Sequence, residues 1–251
     1  MGRSDRLWHF PLTAQLHHTC ENKAERTVDE EIVKRFLAES GEHVVVDLGI
    51  GAGRELKWLR EIPGVSKIIG VDYSIHMLKQ VMKLWKRSVK NLIVVDDDMT
   101  KLSNLPALIK EEKKPCRYIS LANTFGNLES EERIQALTRI ASLMKSEDRL
   151  ALVLYKRPKS KQGQSAELEY YKRSFPIYEK IVWEMFKQPI HYSYDVGEQN
   201  VVFGTKEKPI CISHRWSKKE IKELVEKSGL TIERLFTGRY AYVPICRSKE
   251  K

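Results

Sequence analysis

The spacing of apolar residues changes period along the chain, and each change marks an element. From Val28, the residues Ile32, Phe36 and Leu37 recur at helical spacing until Gly41, which predicts a helix. Val44–Leu48 then reads as a buried strand, followed by glycines and a predicted helix through Arg60. Lys67–Val71 is a second strand. Ser74 caps a helix whose apolar stripe is Leu78, Val81, Met82 and Trp85. Leu92–Val95 is a third strand, and a short helix follows over 103–112. Tyr118–Ala122 is a fourth strand, and Glu129–Met144 a helix with Ile134, Leu137, Ala141 and Met144 on one face. Leu150–Tyr155 is a fifth strand.

Strands alternating with helices predict a parallel sheet covered on both faces, and its strands should be continuously apolar. At Lys156 the alternation stops. Residues 156–175 are charged and Tyr-rich, with no regular element predicted. Ile190–Tyr194, Val201–Phe203 and Ile210–Ile212 are short β-like runs that predict an added antiparallel element. Ser217 then caps a helix over Lys218–Lys227, and Leu230–Phe236 and Tyr240–Ile245 form two strands. The link Thr237–Gly238 is too short for a crossover, so the last strand runs antiparallel. The fold class is therefore α/β: a doubly wound, seven-stranded sheet with a reversed last strand and a small antiparallel insertion after strand five. One domain is expected over 1–251, divided into an N-terminal cap and helix (1–40), a core (41–155), an insertion (156–213) and a last helix with two strands (214–251).

Composition narrows the class. The 251 residues are 41% hydrophobic, which excludes a disordered or fibrous chain. The longest clean apolar run, Leu150–Tyr155, is far short of a membrane span. Met1–Phe10 lacks the apolar stretch of a secretory signal, and Arg6 stands where a myristoylation motif needs Ser or Thr. Cysteines at 20, 116, 211 and 246 make no disulfide framework, so a reduced, cytoplasmic enzyme is expected. The net charge is +10. Lys79, Lys83 and Arg87, with Lys86 and Lys90, form one basic row. Lys156, Arg157, Lys159 and Lys161 form another. The two could guide RNA phosphates or form solvated lysine-rich faces. No membrane partner is expected.

The chemistry concentrates in V-V-V-D-L-G-I-G-A-G-R, residues 44–54. A buried strand enters alternating glycines, which tolerate positive φ and allow a ligand close to the backbone. The N–H groups of the following helix are expected to be available to that ligand. The dinucleotide fingerprint would need a third glycine where Arg54 stands, and the P-loop signature is absent. Asp72 ends the second strand at the distance where an acidic residue can take both ribose hydroxyls. Asp96-Asp97-Asp98-Met99 ends the third. Three adjacent carboxylates require a solvated strand end or a donor ligand.

These three motifs, in order on successive strand ends, resemble those of the class I S-adenosylmethionine-dependent methyltransferases over Val28–Tyr155 and Ser217–Ile245. D-L-G-I-G-A-G, G-V-D-Y-S and D-D-D-M-T are similar to that family's first, second and third motifs, and the fold implied is the Rossmann-like methyltransferase sheet. The resemblance implies S-adenosylmethionine as cofactor. It places the methionine end at Asp47, Gly49, Gly51 and Gly53, the ribose at Asp72 and the adenine at Asp98 and Met99. Tyr73 and Asn123 are further cofactor-side candidates, and Trp8–Cys20 is the segment expected to close over the cofactor.

The loop N-T-F-G-N-L-E after strand four resembles that of histidine-specific N-methyltransferases, which implies a substrate contact at Asn127. The plainer reading is a turn with Gly126 at positive φ and Asn127 as a local cap. Tyr170, Tyr171 and Tyr192 are substrate-side candidates in an insertion that also holds Tyr178, Tyr194 and Trp183. Such aromatics could attract a cationic or amine acceptor or simply pack an added sheet. Cys116 reads as a buried, inert thiol. His17-His18-x-Cys20 and Cys211-x-x-His214 match no zinc spacing, so no metal is expected. No catalytic base is assigned. The expected activity is methyl transfer to nitrogen or oxygen of a small molecule; tRNA or protein acceptors, and a non-catalytic cofactor-binding module, are the alternatives.

Overall fold

The structure is a computed structural model and describes residues 7, 10–17, 30–174 and 176–249. Trp8, His18, Cys20 and Val28 lie outside the described residues. Helices α1 (Pro11–His17) and α2 (Glu30–Ala38) precede strand β1 (His43–Leu48), whose six residues are all buried. There follow α3 (Leu56–Leu59), β2 (Val65–Asp72), α4 (Ile75–Trp85), β3 (Leu92–Asp96), α5 (Leu105–Ile109) and β4 (Cys116–Ser120). A 3-10 turn (Thr124–Asn127) leads to α6 (Ser130–Leu143) and to β5 (Arg149–Leu152), continued after Val153 as β6 (Leu154–Tyr155).

The sheet order is β10 (Leu230–Thr237), β11 (Ala241–Ser248), then β5-β4-β1-β2-β3, with β6 also on β11. β1 pairs in parallel with β2 and β4, β2 with β3, and β4 with β5. β11 (Ala241–Ser248) is antiparallel to β10 (Leu230–Thr237) and to β5, which is the predicted reversal. Register levels the strand ends: Asp47 lies beside Gly70 and Ile119, and Asp72 beside Asp96. The acidic residues of three motifs thus reach one edge of the sheet. Two apolar clusters sandwich the sheet, one including Val46, Ile69 and Leu150 and the other Val45, Ile68 and Ala151. Alternate residues of the same strands serve opposite faces, which is why the strands read as unbroken apolar runs.

The insertion departs from expectation. Besides the antiparallel sheet β7 (His191–Asp195), β8 (Asn200–Gly204) and β9 (Pro209–His214), it contains α7 (Lys161–Ser174) and α8 (Ile177–Phe186). α7 carries so many polar residues that no apolar stripe announces it, whereas α8 buries Tyr178, Ile181 and Val182 at the i, i+3, i+4 spacing. Those residues join Leu7, Tyr171, Val201 and Phe203 in a separate apolar cluster. α9 (Lys218–Lys227) starts on a complete capping box between Ser217 and Glu220.

Candidate functional site

A cavity of about 640 Å³ opens at the carboxyl ends of β1–β4. Its floor comes from the loops after those strands, and its far wall from Tyr155 and from the insertion's Tyr170, Tyr171, Tyr178, Phe203 and Ser213. α1 packs across α4 and α8, and Ala14 packs with Ala52 and Met77, so part of the segment expected to close over the cofactor does lie against the floor.

The glycine loop turns on itself. Gly49 and Ile50 donate to the carbonyl of Val71, Gly53 donates to that of Ile50, and Gly51 donates to Asp72 Oδ2 at 2.9 Å. Gly49 has φ +82°, and a Cβ there would lie 2.5 Å from Thr124 Cγ2, so glycine is required for both conformation and space. The helix that follows is four residues long, and its first N–H groups bond to Gly53, Arg54 and Glu55 carbonyls. The N–H groups of the helix itself are therefore internally satisfied, and flanking Asp47 and Glu55, with Asp72, bring carboxylates to the cavity.

Asp47 is 2% exposed, and its Oδ2 has no hydrogen-bond partner among the described residues. Burial pushes its carboxyl well above the usual range, and neighbouring Glu55 and Asp72 add to the shift. Arg54, at the position that a dinucleotide motif gives to glycine, bonds to Glu30 at 2.6 Å and to Glu55 at 2.5 Å. Three carboxylates on the wall, Asp47, Glu55 and Asp72, thus face one guanidinium that is already paired. An acidic, partly desolvated floor of this kind favours a cation. The orphan Asp47 oxygen fits the ammonium of an amino-acid ligand, and Asp72 keeps acceptor capacity although its oxygens take the N–H groups of Gly51 and Ser74.

The acidic triplet resolves into three roles. Asp96 is exposed. Asp97 is buried and accepts from the N–H groups of Ser103, Asn104 and Leu105 at 2.7–3.0 Å, so its compensating donors are the protein's own. Asp98 reaches the cavity, with Oδ1 held by the Thr100 N–H and hydroxyl. Met99 is buried on the floor, its methyl 3.4 Å from where a Gly49 Cβ would be. Tyr73 and Asn127 also line the cavity, and the Asn127 side chain makes no capping hydrogen bond within the described residues.

Three proposed site residues lie elsewhere. Gly53 faces Leu56 and the Trp85 ring, a packing position. Tyr192 packs on Phe203, with centroids 5.9 Å apart, and is not on the wall. Asn123, at φ +62°, is 1% exposed and its amide is fully engaged. Its Nδ2 donates to Ser213 Oγ (3.1 Å) and the His214 carbonyl (3.0 Å), while its Oδ1 accepts from Tyr155 N–H (2.9 Å) and Trp216 Nε1–H (3.0 Å). It clamps the post-β4 turn to the insertion instead of facing the cavity. Gly126 is likewise corrected: Ala122 and Asn123 take the positive φ, and Gly126 is needed because a Cβ would lie 2.1 Å from the Asn123 amide.

The two basic rows stand apart. The α4 lysines are exposed, and α4 packs on β2 and β3. Lys156 follows β6 at β11, three intervening strands away, or roughly 19 Å. Lys156 donates to the carbonyls of Gly238 and Arg239, and Arg157 pairs with Glu220. Among the described residues no group of three or more His, Cys, Asp or Glu side chains could hold a metal. Burial raises the Cys116 thiol to about 12. Sequence reasoning passed over Glu55, Thr124, Tyr155, Ser213 and Arg215; only Arg215, a charged residue flanked by buried positions, carried any signal.

Residues 45–147 match the family model described as a methyltransferase domain. No curated protein matches the chain. Similar solved structures include the PH0226 protein from Pyrococcus horikoshii OT3, 20% identical, with a TM-score of 0.64 over 99% of this chain and 100% of that one. CcbJ methyltransferase from Streptomyces caelestis is 13% identical, with a TM-score of 0.66 over 100% of both chains. The 1,6-didemethyltoxoflavin-N1-methyltransferase of Burkholderia thailandensis, solved with 1,6-didemethyltoxoflavin and S-adenosylhomocysteine, is 12% identical, with a TM-score of 0.60 over 98% and 88%. The structural likenesses show the fold; the family match supplies the domain. Residues 45–147 are thus a methyltransferase domain, and the fold of the whole chain is that of the solved methyltransferases. No described helix is long and apolar enough to cross a membrane.

Proposed function

We propose that the chain is a class I S-adenosylmethionine-dependent methyltransferase that modifies nitrogen or oxygen of a small molecule in the cytoplasm. The observation that carries this reading is the closed far wall of the cavity. Tyr171, Tyr178 and Phe203 are 7%, 4% and 2% exposed, and the insertion's own core lies behind them. At about 640 Å³ the cavity is in the ordinary range for small ligands. The 1,6-didemethyltoxoflavin-N1-methyltransferase, solved with 1,6-didemethyltoxoflavin bound, shares this fold.

In this reading Asp47 and the acidic floor hold the amino-acid end of the cofactor, Asp72 its ribose, and Asp98 and Met99 its adenine. Bound there, S-adenosylmethionine would supply an electrophilic methyl for the acceptor's lone pair, with the carbon–sulfur electron pair left on sulfur and the acceptor's N–H or O–H proton lost to water. The wall residues orient the acceptor and exclude water from the line of attack. Asn127 lies where it can contact the acceptor, but the acceptor wall carries no buried cation toward the cavity for the carboxylate of an amino acid such as histidine.

The test is transfer of radiolabelled methyl groups to a cell extract separated into small molecules, RNA and protein. Label in the small-molecule fraction is expected. Label in RNA, lost on raising salt, would instead assign the α4 lysines to a nucleic-acid partner.

A further inference from the structure

We propose that the acceptor is a flat, uncharged aromatic or heteroaromatic molecule with one hydrogen-bonding group, gripped by Tyr171 and Ser213, and that Arg215 is a positioning residue acting through both. This rests on the small-molecule reading above and narrows it.

The shape follows from the wall. The Tyr178 and Phe203 rings stack with centroids 4.8 Å apart and 14° between planes. Tyr171 lies 6.2 Å from Phe203 at 35°, and Tyr170 meets Tyr171 edge-on at 5.8 Å. Such a surface favours another flat ring, offset or edge-on.

The polarity follows from two atoms. Tyr171 Oη and Ser213 Oγ lie 3.3 Å apart, both belonging to residues on the wall. Behind them Arg215 is 0% exposed, so it cannot itself reach a ligand. Its Nη2 donates to Tyr171 Oη at 2.8 Å and its Nη1 to Ser213 Oγ at 2.9 Å. The remaining N–H groups go to Glu167 and to the carbonyls of Ser213 and His214. A buried guanidinium–carboxylate pair is often less stabilising than apolar residues of the same volume. Packing alone gives no reason for one here; fixing a phenol and a hydroxyl at one spot of an aromatic wall does.

The charge follows from the same arginine. Its guanidinium sits 5.5 Å from the ring centroids of both Tyr155 and Tyr171. The cation these tyrosines hold is thus the protein's own, which disfavours a cationic acceptor on the same rings. Glu167 balances Arg215. Lys101, Glu129 and Glu132, the other charged residues toward this end, lie at the rim: Lys101 pairs with Asp98, and Glu132 accepts the N–H of Glu129. An uncharged acceptor fits the aromatic wall itself, where Arg215 and Glu167 cancel.

The experiment uses the full-length enzyme with radiolabelled S-adenosylmethionine and paired probes: aminoquinolines with and without a neighbouring hydroxyl. Both should be methylated. Tyr171→Phe removes one oxygen and should raise KM about tenfold for the hydroxylated probe, the worth of one hydrogen bond. KM for the plain probe and calorimetric affinity for S-adenosylmethionine should stay within about twofold. Arg215→Lys should show the same selectivity between probes, and combining it with Tyr171→Phe should add little. Equal losses on both probes, no loss on either, or a loss of cofactor affinity would overturn the assignment. So would failure to methylate any aromatic probe while other small molecules are labelled. If wild-type enzyme labels only RNA or protein, the small-molecule reading itself has failed.

Discussion

The two ends of the cavity treat polar groups in opposite ways. At the strand ends, carboxylates outnumber the single arginine beside them, and Asp47 keeps an oxygen without a partner. At the insertion, the charge behind the aromatic wall is balanced within the protein, Arg215 by Glu167. In the proposed reading, a cationic cofactor is held by leaving protein charge incompletely compensated, at some expense in stability. A neutral acceptor needs only shape and one oriented dipole pair.

That contrast can be broken most severely at Gly49. Gly49→Ala forces a Cβ against Thr124 in a left-handed conformation, and cofactor affinity should fall about 100-fold by calorimetry. Asp47→Asn sharpens the comparison further, because its two effects have opposite signs. Cofactor affinity should drop roughly 10- to 50-fold with loss of a charged hydrogen bond, while the ligand-free melting temperature rises by about 2 °C as a poorly compensated buried acid disappears. A fall in both would show that Asp47 is structural.

On the acceptor side, Asn123→Ala removes four hydrogen bonds that tie the post-β4 turn to the chain at the two ends of the insertion. It should lower the melting temperature by about 5–10 °C yet leave cofactor affinity within about threefold. The smallest effect is one of pH. Burial raises Glu30 to about 7, Arg54 opposing and Glu55 reinforcing the shift. The carboxyl is protonated at pH 6 and ionised at pH 8, so a cationic ligand should bind about two- to threefold tighter at pH 8. Stability of the ligand-free enzyme runs the other way. The folded state holds this proton more tightly than the unfolded chain, so the contribution is full below 4.5 and is lost as pH rises through 7. Glu30→Gln should flatten both slopes.

How legible each end was in the sequence follows from the same contrast. The floor is made by short motifs whose residues are neighbours in the chain. Gly49, Asp72 and Asp98 each end a strand, and parallel pairing alone brings those ends together. The wall joins Tyr155, Tyr171, Phe203 and Ser213, separated by up to 58 positions, through a helix that shows no apolar stripe. Nothing local indicates that Tyr171 reaches the wall while Tyr192, on an adjoining strand, packs behind it. Asn123 was placed on the wrong side for a related reason. The residue type and the strand end both suit a ligand, but its four partners lie 32 to 93 positions away. Within the acidic triplet only the burial of Asp97 is hidden, because backbone donors leave no mark in a sequence.

The Asn123 clamp also bears on how such an enzyme could be given a new specificity by exchange of parts. The insertion looks like a removable module between Lys156 and Ser213, and a recombination experiment would naturally cut there. Yet the amide of Asn123 grips both sides of that cut, Tyr155 before it and Ser213, His214 and Trp216 at and after it. A foreign insertion joined at Ser213 would have to supply a hydroxyl at the correct position or leave a buried amide proton without an acceptor. The exchangeable unit is therefore shorter than the insertion: it runs from beyond Arg157 to before Ser213, and transplants respecting that socket should fold where longer ones do not.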